Sequence, residues 1–302
     1  MQPGYPGGGG SGKDGRQKKK RSRAGDVLSG LLMIVALGVF LYSGYTLYGF
    51  YKEYKKGSDE YDNLENIYAV VDEAAQTENL ADLENEDVQQ MVEGREVAVI
   101  SEDGEEKTVP VMYNPIDFEE LKTVNEDIVG WLKIRALDIS YPVVQAEDND
   151  YYLHRTFERT DNFAGCLFMN CDNRSDFTDQ NTIIYGHNMK NGSMFGKLKK
   201  FNEEETFKKS SYFWIFAPDV IYQYQIFSAM TVNKTGLTYQ TFFTEEDHQT
   251  LIDTALERSV VDNTGIEVTK DDRIVTLSTC TGDDATRFVV MGRLAQVYAA
   301  KR

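Results

Sequence analysis

The sequence predicts a mostly β domain, built as an antiparallel sandwich or a closed barrel, that follows a single membrane-spanning helix. Two observations support this prediction. Beyond residue 113 the chain is a series of short runs of β-branched and aromatic residues separated by polar turns, which is typical of all-β domains. Near its start the chain holds 24 consecutive residues without a charge, enough for a helix to cross about 30 Å of hydrocarbon.

The first 51 residues divide into a basic tail and an anchor. Residues 1–25 carry seven Lys or Arg against one acid, and their Gly-rich composition predicts a disordered tail. The uncharged stretch begins at Val27 and ends at Phe50, which predicts an anchor helix over residues 26–51 in contact with membrane lipid. It is longer than the apolar region of a signal peptide. Because the Lys- and Arg-rich side of a transmembrane helix remains in the cytoplasm, we expect the N-terminus in the cytoplasm and the residues after the helix outside the cell.

Residues 52–112 are expected to form an acidic helical stalk or linker. Ser58 is a candidate N-cap for a helix that reaches about residue 76, with Leu64 and Ile67 at helical spacing. A second short helix is predicted over residues 87–93. Much of this region is acidic and poor in aromatic residues, which predicts a partly mobile segment before the compact domain, residues 113–302.

The compact domain opens with a helix and continues as strands. Asn114 and Pro115 are a cap and a first-turn proline for a helix with Phe118 on its apolar face. A later helix follows the cap Thr244 over EEDHQTLIDTALERS, with His248 on its polar side. The predicted strands are IVGWLKI, ISYPVVQ, GCLFMN, NTIIYG, SYFWIFAP, VIYQYQIFSAMTV, IEVT, RIVTLSTC and RFVVMGRLAQV.

Composition argues against several kinds of function. The formal net charge is −17, which divides into +6 for the tail and −23 for the rest. Nucleic-acid binding is not expected of such an acidic body, because phosphate contacts need clustered Lys and Arg. Three cysteines form no disulfide framework. The histidines and cysteines lack metal-ligand spacing, so we expect neither a metal nor a cofactor.

One cysteine stands at a strand end opposite an arginine. IVTLSTC ends at Cys280, and after the six-residue turn TGDDAT the last strand begins at Arg287. In a hairpin these side chains are paired, with Cβ atoms about 4.5–5.5 Å apart. A guanidinium beside a thiol favours the thiolate and can donate to a nearby oxyanion. The alternative is an inert packed cysteine and a surface arginine paired with Asp283 or Asp284.

A histidine follows another predicted strand. NTIIYG leads to His187 and then to a loop rich in Gly and Asn. A lone histidine at a strand end is more often structural. Acyl transfer through a thiolate, however, needs a neighbouring proton donor for the leaving amine, and such groups meet in space rather than in sequence. His187 is therefore the candidate acid–base group for Cys280.

Taken together, these motifs resemble those of the sortases. TLSTC with a nearby strand-initial Arg, YGHNMKNGSMF upstream, and DIVGWLKI with ISYPVVQAEDNDYYL earlier are similar to class B sortases over about residues 113–300. The resemblance implies a closed eight-stranded β-barrel with peripheral helices. It also implies cysteine transpeptidation, in which the C-terminal sorting signal of a secreted protein is cleaved and the protein is joined to an amine.

The resemblance also implies roles for individual residues. Cys280 is the expected nucleophile and His187 the acid–base group. Arg287 is the expected ligand of the substrate and its oxyanion, with Arg293 as a weaker substitute. The residues expected to bind the peptide are Tyr185, Ser278, Asn149, Leu153 and, through its backbone amide, Thr281.

The expected partners and location follow from the same resemblance. The partners are a secreted surface protein with a C-terminal sorting motif and an amine of a peptidoglycan precursor or a pilin. The location is a Gram-positive cell membrane, with the catalytic domain outside. Two alternatives stay open: a surface cysteine protease in which water resolves the thioester, and a β-barrel that binds peptide without catalysis.

Overall fold

The computed structural model describes residues 23–69, 92–100 and 106–301. Residues 1–22 of the predicted tail and residues 70–91 of the predicted stalk lie outside the described residues, as does most of the short helix predicted over residues 87–93. The chain divides into two compact units, Met1–Tyr51 and Lys52–Arg302.

A single helix, α1, runs over Arg23–Tyr68. The large apolar side chains of its first part are exposed, as at Phe40, which is 73 % exposed, and this part is long and apolar enough to cross a membrane. The helix start expected at Ser58 is wrong, because the preceding residues are already helical and leave no free amides to cap. Within the second unit, Tyr61 and Leu64 of α1 are buried.

Two strands occupy the end of the region expected to be a helical stalk. β1 (Val92–Ile100) and β2 (Glu106–Tyr113) pair antiparallel, and β2 also pairs in parallel with the end of the chain, where Val111 is opposite Ala299. The runs EVAVI and KTVPV are rich in β-branched residues, which favour strands. Acidic residues dominate the composition of the whole segment, so these two short runs do not stand out from it.

Eight further strands in the described part of the chain close into a barrel, so the predicted eight-stranded architecture is confirmed. Around the barrel the order is β3, β4, β5, β6, β9, β10, β8 and β7, and β7 pairs back with β3. The strands are β3 (Ile128–Ile134), β4 (Ile139–Val144), β5 (Leu167–Met169), β6 (Asn181–Tyr185), β7 (Tyr212–Phe216), β8 (Val220–Asn233), β9 (Ile274–Cys280) and β10 (Thr286–Lys301).

Two of the strand pairs in the barrel are parallel. β4 pairs in parallel with β5, and β6 with β9, while the remaining barrel pairs are antiparallel. The connection from β6 to β9 contains β7 and β8, as a parallel pair requires a long crossover. Strand periodicity in the sequence does not reveal which strands pair, so the expectation of an antiparallel arrangement was only partly right.

Among the described residues, three shorter α-helices lie outside the barrel strands: α2 (Phe118–Val124), α3 (Glu204–Lys209) and α4 (Glu245–Arg258). α2 begins later than predicted, because Asp117 and not Asn114 is its N-cap. The Asn114 carboxamide instead accepts a hydrogen bond from the Ile116 amide at 3.1 Å. α4 keeps its predicted cap, since the Thr244 hydroxyl accepts from the Asp247 amide.

Two predictions near α4 are wrong. His248 is fully buried rather than on the polar side, with its ring stacked on Phe243 at a centroid distance of 5.0 Å. The run IEVT, residues 266–269, forms no strand, although Val268 belongs to the apolar cluster that also contains Leu251 and Ile252 of α4. Its apolar residues pack against α4. A pattern of only four residues does not show whether they form a strand or pack against a helix.

Large side chains fill the barrel. Trp131, Phe213 and Phe216 are fully buried in the main apolar cluster. Trp131 also donates its indole N–H to the Ser140 hydroxyl at 2.9 Å, so its polar group is satisfied within the core. This dense interior holds the strand ends, where the candidate site lies, in fixed positions.

Asn181 joins three elements near that site. Its fully buried side chain donates to the carbonyls of Thr238 at 3.1 Å and Gln240 at 2.9 Å. The oxygen of its side-chain carboxamide accepts a hydrogen bond from the Thr276 hydroxyl at 2.7 Å. Asn181 therefore links β6 to β9 and to the short 3-10 turn Leu237–Tyr239.

We expect Asn181→Ala to destabilise the chain by about 2–4 kcal/mol, because it leaves a buried hydroxyl and two carbonyls without partners. Asn202→Ala is the control, since the exposed Asn202 makes one similar bond to the Lys199 carbonyl. Its cost should be below about 0.5 kcal/mol. Denaturant unfolding measures both variants, and equal costs would contradict the linking role of Asn181.

Candidate active site

A cavity of about 290 Å³ opens where the ends of β6 and β9 meet the start of β10. All three residues that the sequence singled out for chemistry lie on its wall. The lining residues are Asn149, Leu153, Phe168, Tyr185, Gly186, His187, Lys234, Tyr239, Ser278, Thr279, Cys280 and Arg287.

Strand pairing brings the histidine and the cysteine to the same end of the barrel. Because β6 and β9 run parallel, with Tyr185 opposite Ser278, their carboxyl ends lie side by side. Two hydrogen bonds continue the contact beyond the strands: the Gly186 amide donates to the Ser278 carbonyl at 3.1 Å, and the Thr279 hydroxyl donates to the Gly186 carbonyl at 2.7 Å. These bonds fix the backbone immediately before His187.

Cys280 is the exposed one of the three cysteines, all of which are free thiols. As the sequence predicted, it pairs with Arg287 across the hairpin formed by β9 and β10. Its carbonyl accepts a hydrogen bond from the Asn188 carboxamide at 2.8 Å. The alternative of a buried, packed Cys280 is therefore excluded, since the residue ends its strand at an open cavity.

His187 is held by a backbone carbonyl. Its Nε2 lies 2.7 Å from the Leu153 oxygen, and because a carbonyl can only accept, Nε2 carries the proton. Nδ1 of the neutral ring is then the nitrogen that can exchange a proton with a thiol or an amine. This tautomer depends on the position of Leu153.

The surroundings of His187 favour its neutral form. Burial lowers the pKa of its imidazole below the ordinary value, the hydrogen bond to Leu153 partly opposes this, and the neighbouring His154 adds to the lowering. The two imidazole rings are stacked at 5.8 Å. At neutral pH His187 is therefore mainly uncharged, because its pKa lies below the ordinary value for a histidine.

Arg287 keeps its positive charge available to the cavity. Its Nη1 donates to the Thr286 carbonyl at 2.8 Å and the Asp284 carbonyl at 3.2 Å. Within the described residues no carboxylate lies within ion-pair distance, so the alternative pairing with Asp283 or Asp284 side chains is excluded. The substitute Arg293 pairs with Ile274 at the opposite end of β9, and it donates to Gln225.

Four of the five predicted peptide-binding residues line the cavity. They are Asn149, Leu153, Tyr185 and Ser278. Thr281 is not among the lining residues. Its hydroxyl lies 2.6 Å from that of Thr286 within the β9–β10 turn, and its carbonyl accepts from Lys199 at 2.8 Å. The Thr281 side chain therefore stabilises the turn.

Five lining residues were not predicted as site residues from the sequence, and Tyr239 and Lys234 are two of them; the others are Phe168, Gly186 and Thr279. The Tyr239 hydroxyl lies 2.8 Å from the Ser278 hydroxyl, and its ring stacks on Tyr185 at 6.3 Å. Lys234 follows β8 directly, where β8 pairs with the start of β10. One sequence feature could have located Lys234: the run VIYQYQIFSAMTV is unusually long, and the strand that it forms, β8, reaches the cavity. No comparable feature of the sequence points to Tyr239.

The cavity wall is suited to polar, uncharged or anionic ligands. Its described lining contains two cations, Lys234 and Arg287, and no carboxylate. A guanidinium and hydroxyl groups can donate to carbonyl oxygens, such as those of an extended peptide. No group of three His, Cys, Asp or Glu side chains in the described ranges is placed to hold a metal ion.

Comparison with known proteins identifies the family of domains that this chain resembles. The model of the sortase domain matches residues 132–295. A sortase B of Listeria monocytogenes is 32 % identical over 267 residues, which cover 87 % of this chain and 95 % of that protein. The matched range contains β4 to β9 and all the predicted catalytic residues.

Solved structures agree with this match. Sortase B of B. anthracis in complex with AAEK1 is similar with a TM-score of 0.60 and 30 % identity, over 82 % of this chain and 99 % of that one. A Staphylococcus aureus sortase B–substrate complex is similar with a TM-score of 0.55 and 33 % identity, over 59 % and 84 %.

We expect iodoacetamide near neutral pH to alkylate Cys280 in the folded chain about tenfold or more faster than Cys166. Cys280 is exposed, whereas Cys166 is buried and burial raises the pKa of its thiol to about 12. Peptide mass spectrometry measures the two rates, and unfolding in urea should make them similar. Preferential labelling of Cys166 in the folded chain would contradict this description of the site.

Proposed function

The chain belongs to the sortase family, and from that premise we propose that Cys280, His187 and Arg287 perform its reaction. Sortases are cysteine transpeptidases that attach surface proteins to the cell wall, and this chain is an enzyme of that kind. The observation that carries the residue assignment is the convergence of the three side chains on one cavity.

The first step forms a thioester. The Cys280 thiol gives its proton to Nδ1 of the neutral His187 as the sulfur attacks the carbonyl carbon of a Thr-x or similar peptide bond, and the carbonyl π electrons move to oxygen. Arg287 donates a hydrogen bond to this oxyanion, and its positive charge, which no carboxylate among the described residues neutralises, stabilises the negative charge on the oxygen. His187 Nδ1 passes a proton to the leaving amine, the C–N bond breaks, and the C-terminal part of the peptide departs.

The second step transfers the acyl group. A primary amine attacks the thioester carbon and His187 removes its proton. The C–S bond then breaks, a new amide bond remains, and the released Cys280 sulfur takes the proton back from His187. The amine belongs to a peptidoglycan precursor or, as the second possibility, to a pilin. Because His187 is mainly neutral at neutral pH, it is able to accept this proton.

The peptide groove is proposed to include Asn149, Leu153, Tyr185 and Ser278. They contribute carboxamide, apolar, aromatic and hydroxyl groups to one cavity wall. Tyr239 joins them through its contact with Ser278. Such a mixture suits a short peptide that is recognised through its backbone carbonyls and through small polar and apolar side chains.

The exposed apolar part of α1 is proposed as a single-pass membrane anchor. Its length and composition, together with the basic residues before it, support a cytoplasmic N-terminus and an extracellular catalytic domain on a Gram-positive cell. Anchoring confines the enzyme to the surface where secreted substrates emerge, and so raises their effective concentration.

Peptide selection distinguishes transfer from hydrolysis. A library of peptides with a fixed threonine and variable flanking residues is incubated with the enzyme and either triglycine or a lysine derivative. We expect mass spectrometry to find peptide–amine conjugates in excess of hydrolysed acids. A product mixture made only of acids at saturating amine would instead support the protease alternative.

Variants of the three residues test their roles with the selected peptide. Cys280→Ala should abolish thioester formation, because Cys280 supplies the only thiol among the described residues that line the cavity. His187→Ala and Arg287→Ala should each lower the acylation rate by about 10²–10⁴-fold, through loss of proton transfer and of oxyanion stabilisation. Single-turnover mass spectrometry measures the acylation rate.

Matched controls separate these roles from general damage. Cys171→Ala changes a half-buried cysteine, and Arg293→Ala changes an arginine of the same strand as Arg287. Both should acylate within about threefold of the unchanged chain, once their folded fraction is taken into account. Turnover by His187→Ala equal to that of the controls would remove its acid–base assignment.

A further inference from the structure

The segment 152–166 connects the candidate site to α1, and we call it the strap. On its outer side it contacts the part of α1 that belongs to the second unit. The Asn162 carboxamide donates to the Glu53 carbonyl at 3.2 Å, and the Glu158 amide donates to the Glu60 carboxylate at 3.0 Å. The strap is thus attached to α1 at several points along its length.

The most buried of these attachments is made by Tyr61. Its side chain is 4 % exposed, and its hydroxyl donates to the Gly165 carbonyl at 2.6 Å. The ring packs edge-on against Tyr141 at 5.3 Å, so its position is set from two sides. A buried hydroxyl held in this way fixes the orientation of the Gly165 peptide group.

Gly165 in turn contacts the carbonyl that holds His187. Its φ of +60° is in the left-handed region, and a Cβ placed there would lie 2.6 Å from the Leu153 oxygen. The glycine backbone is therefore packed directly on that carbonyl. The Leu153 oxygen is the atom that accepts the His187 Nε2 proton at 2.7 Å.

We propose that Tyr61 is a positioning residue for His187, acting through Gly165 and the Leu153 carbonyl. This inference rests on the proposed acid–base role of His187. It gives the segment of α1 that follows the apolar stretch a part in the reaction, beyond attachment to the membrane. A continuous series of three contacts leads from the helix to the imidazole.

The physical consequence concerns the tautomer and charge of His187. The Leu153 carbonyl keeps the proton on Nε2 and partly opposes the lowering of the His187 pKa by burial. If the Gly165 peptide group turns, this carbonyl moves and the bond lengthens. The pKa of His187 then falls further, and Nδ1 is less often aligned with the leaving amine.

The test compares Tyr61→Phe with Tyr222→Phe in the full chain, purified in detergent. Tyr222 is a matched control, because its hydroxyl also donates to a backbone carbonyl, that of Asp176, at 2.9 Å. Tyr222 is not among the residues that line the cavity. Each variant loses one hydroxyl, so similar losses of thermal stability are expected.

The first measurement is a ¹⁵N NMR titration of the imidazoles, which is tractable because the chain has three histidines. His187 should titrate at lower pH in Tyr61→Phe than in the unchanged chain, and at the unchanged pH in Tyr222→Phe. This measurement needs no turnover, so it tests the inference even if the proposed function fails. An identical His187 titration in all three chains would overturn the inference.

The second measurement is the single-turnover acylation rate with the selected peptide. Tyr61→Phe should be about three- to tenfold slower than Tyr222→Phe at neutral pH, the effect of one weakened hydrogen bond. Its pH–rate profile should shift in the same direction as the NMR titration. Equal rates and profiles for the two variants would show that Tyr61 contributes to stability alone.

Discussion

The parallel pairing of β6 with β9 is the constraint on which the site depends. It brings two carboxyl ends to one edge of the barrel, so that His187 and Cys280 face the same cavity although they are distant in sequence. The antiparallel return from β9 to β10 then adds Arg287 beside Cys280. Closure of the barrel makes both pairings compulsory, because each strand must satisfy the hydrogen bonds of two neighbours.

Buried polar contacts keep these strand ends in register. Asn181, Thr276 and Thr279 bond across the β6–β9 seam or to the segments beside it. The same pattern continues into the site, where the Leu153 carbonyl selects the tautomer of His187. The proposed chemistry therefore relies on backbone groups whose positions are determined by packing, and not only on the side chains that are proposed to react.

Much of the fold was accessible from sequence, because alternation and polar turns are local properties. Eight of the nine predicted runs are strands, and the cap of α4 at Thr244 is as expected. The predictions that were wrong depend on contacts between residues that are distant in the sequence or on the composition of the surrounding segment. The run IEVT packs against α4 and does not form a strand. His248 is buried against Phe243, a contact that helical spacing does not reveal. The strands β1 and β2 lie in a segment whose composition is mainly acidic, so they were not predicted.

For the site, the sequence by itself determined that Cys280 and His187 lie at or just beyond strand ends, and that a hairpin pairs Cys280 with Arg287. Local spacing contains both facts, since strand ends and short turns involve neighbouring residues. Only the tertiary structure decided that His187 joins them, that Tyr239 and Lys234 complete the wall, and that Thr281 does not. Those outcomes depend on which strands become neighbours when the barrel closes, and pairing between distant segments leaves no periodic signal in one chain.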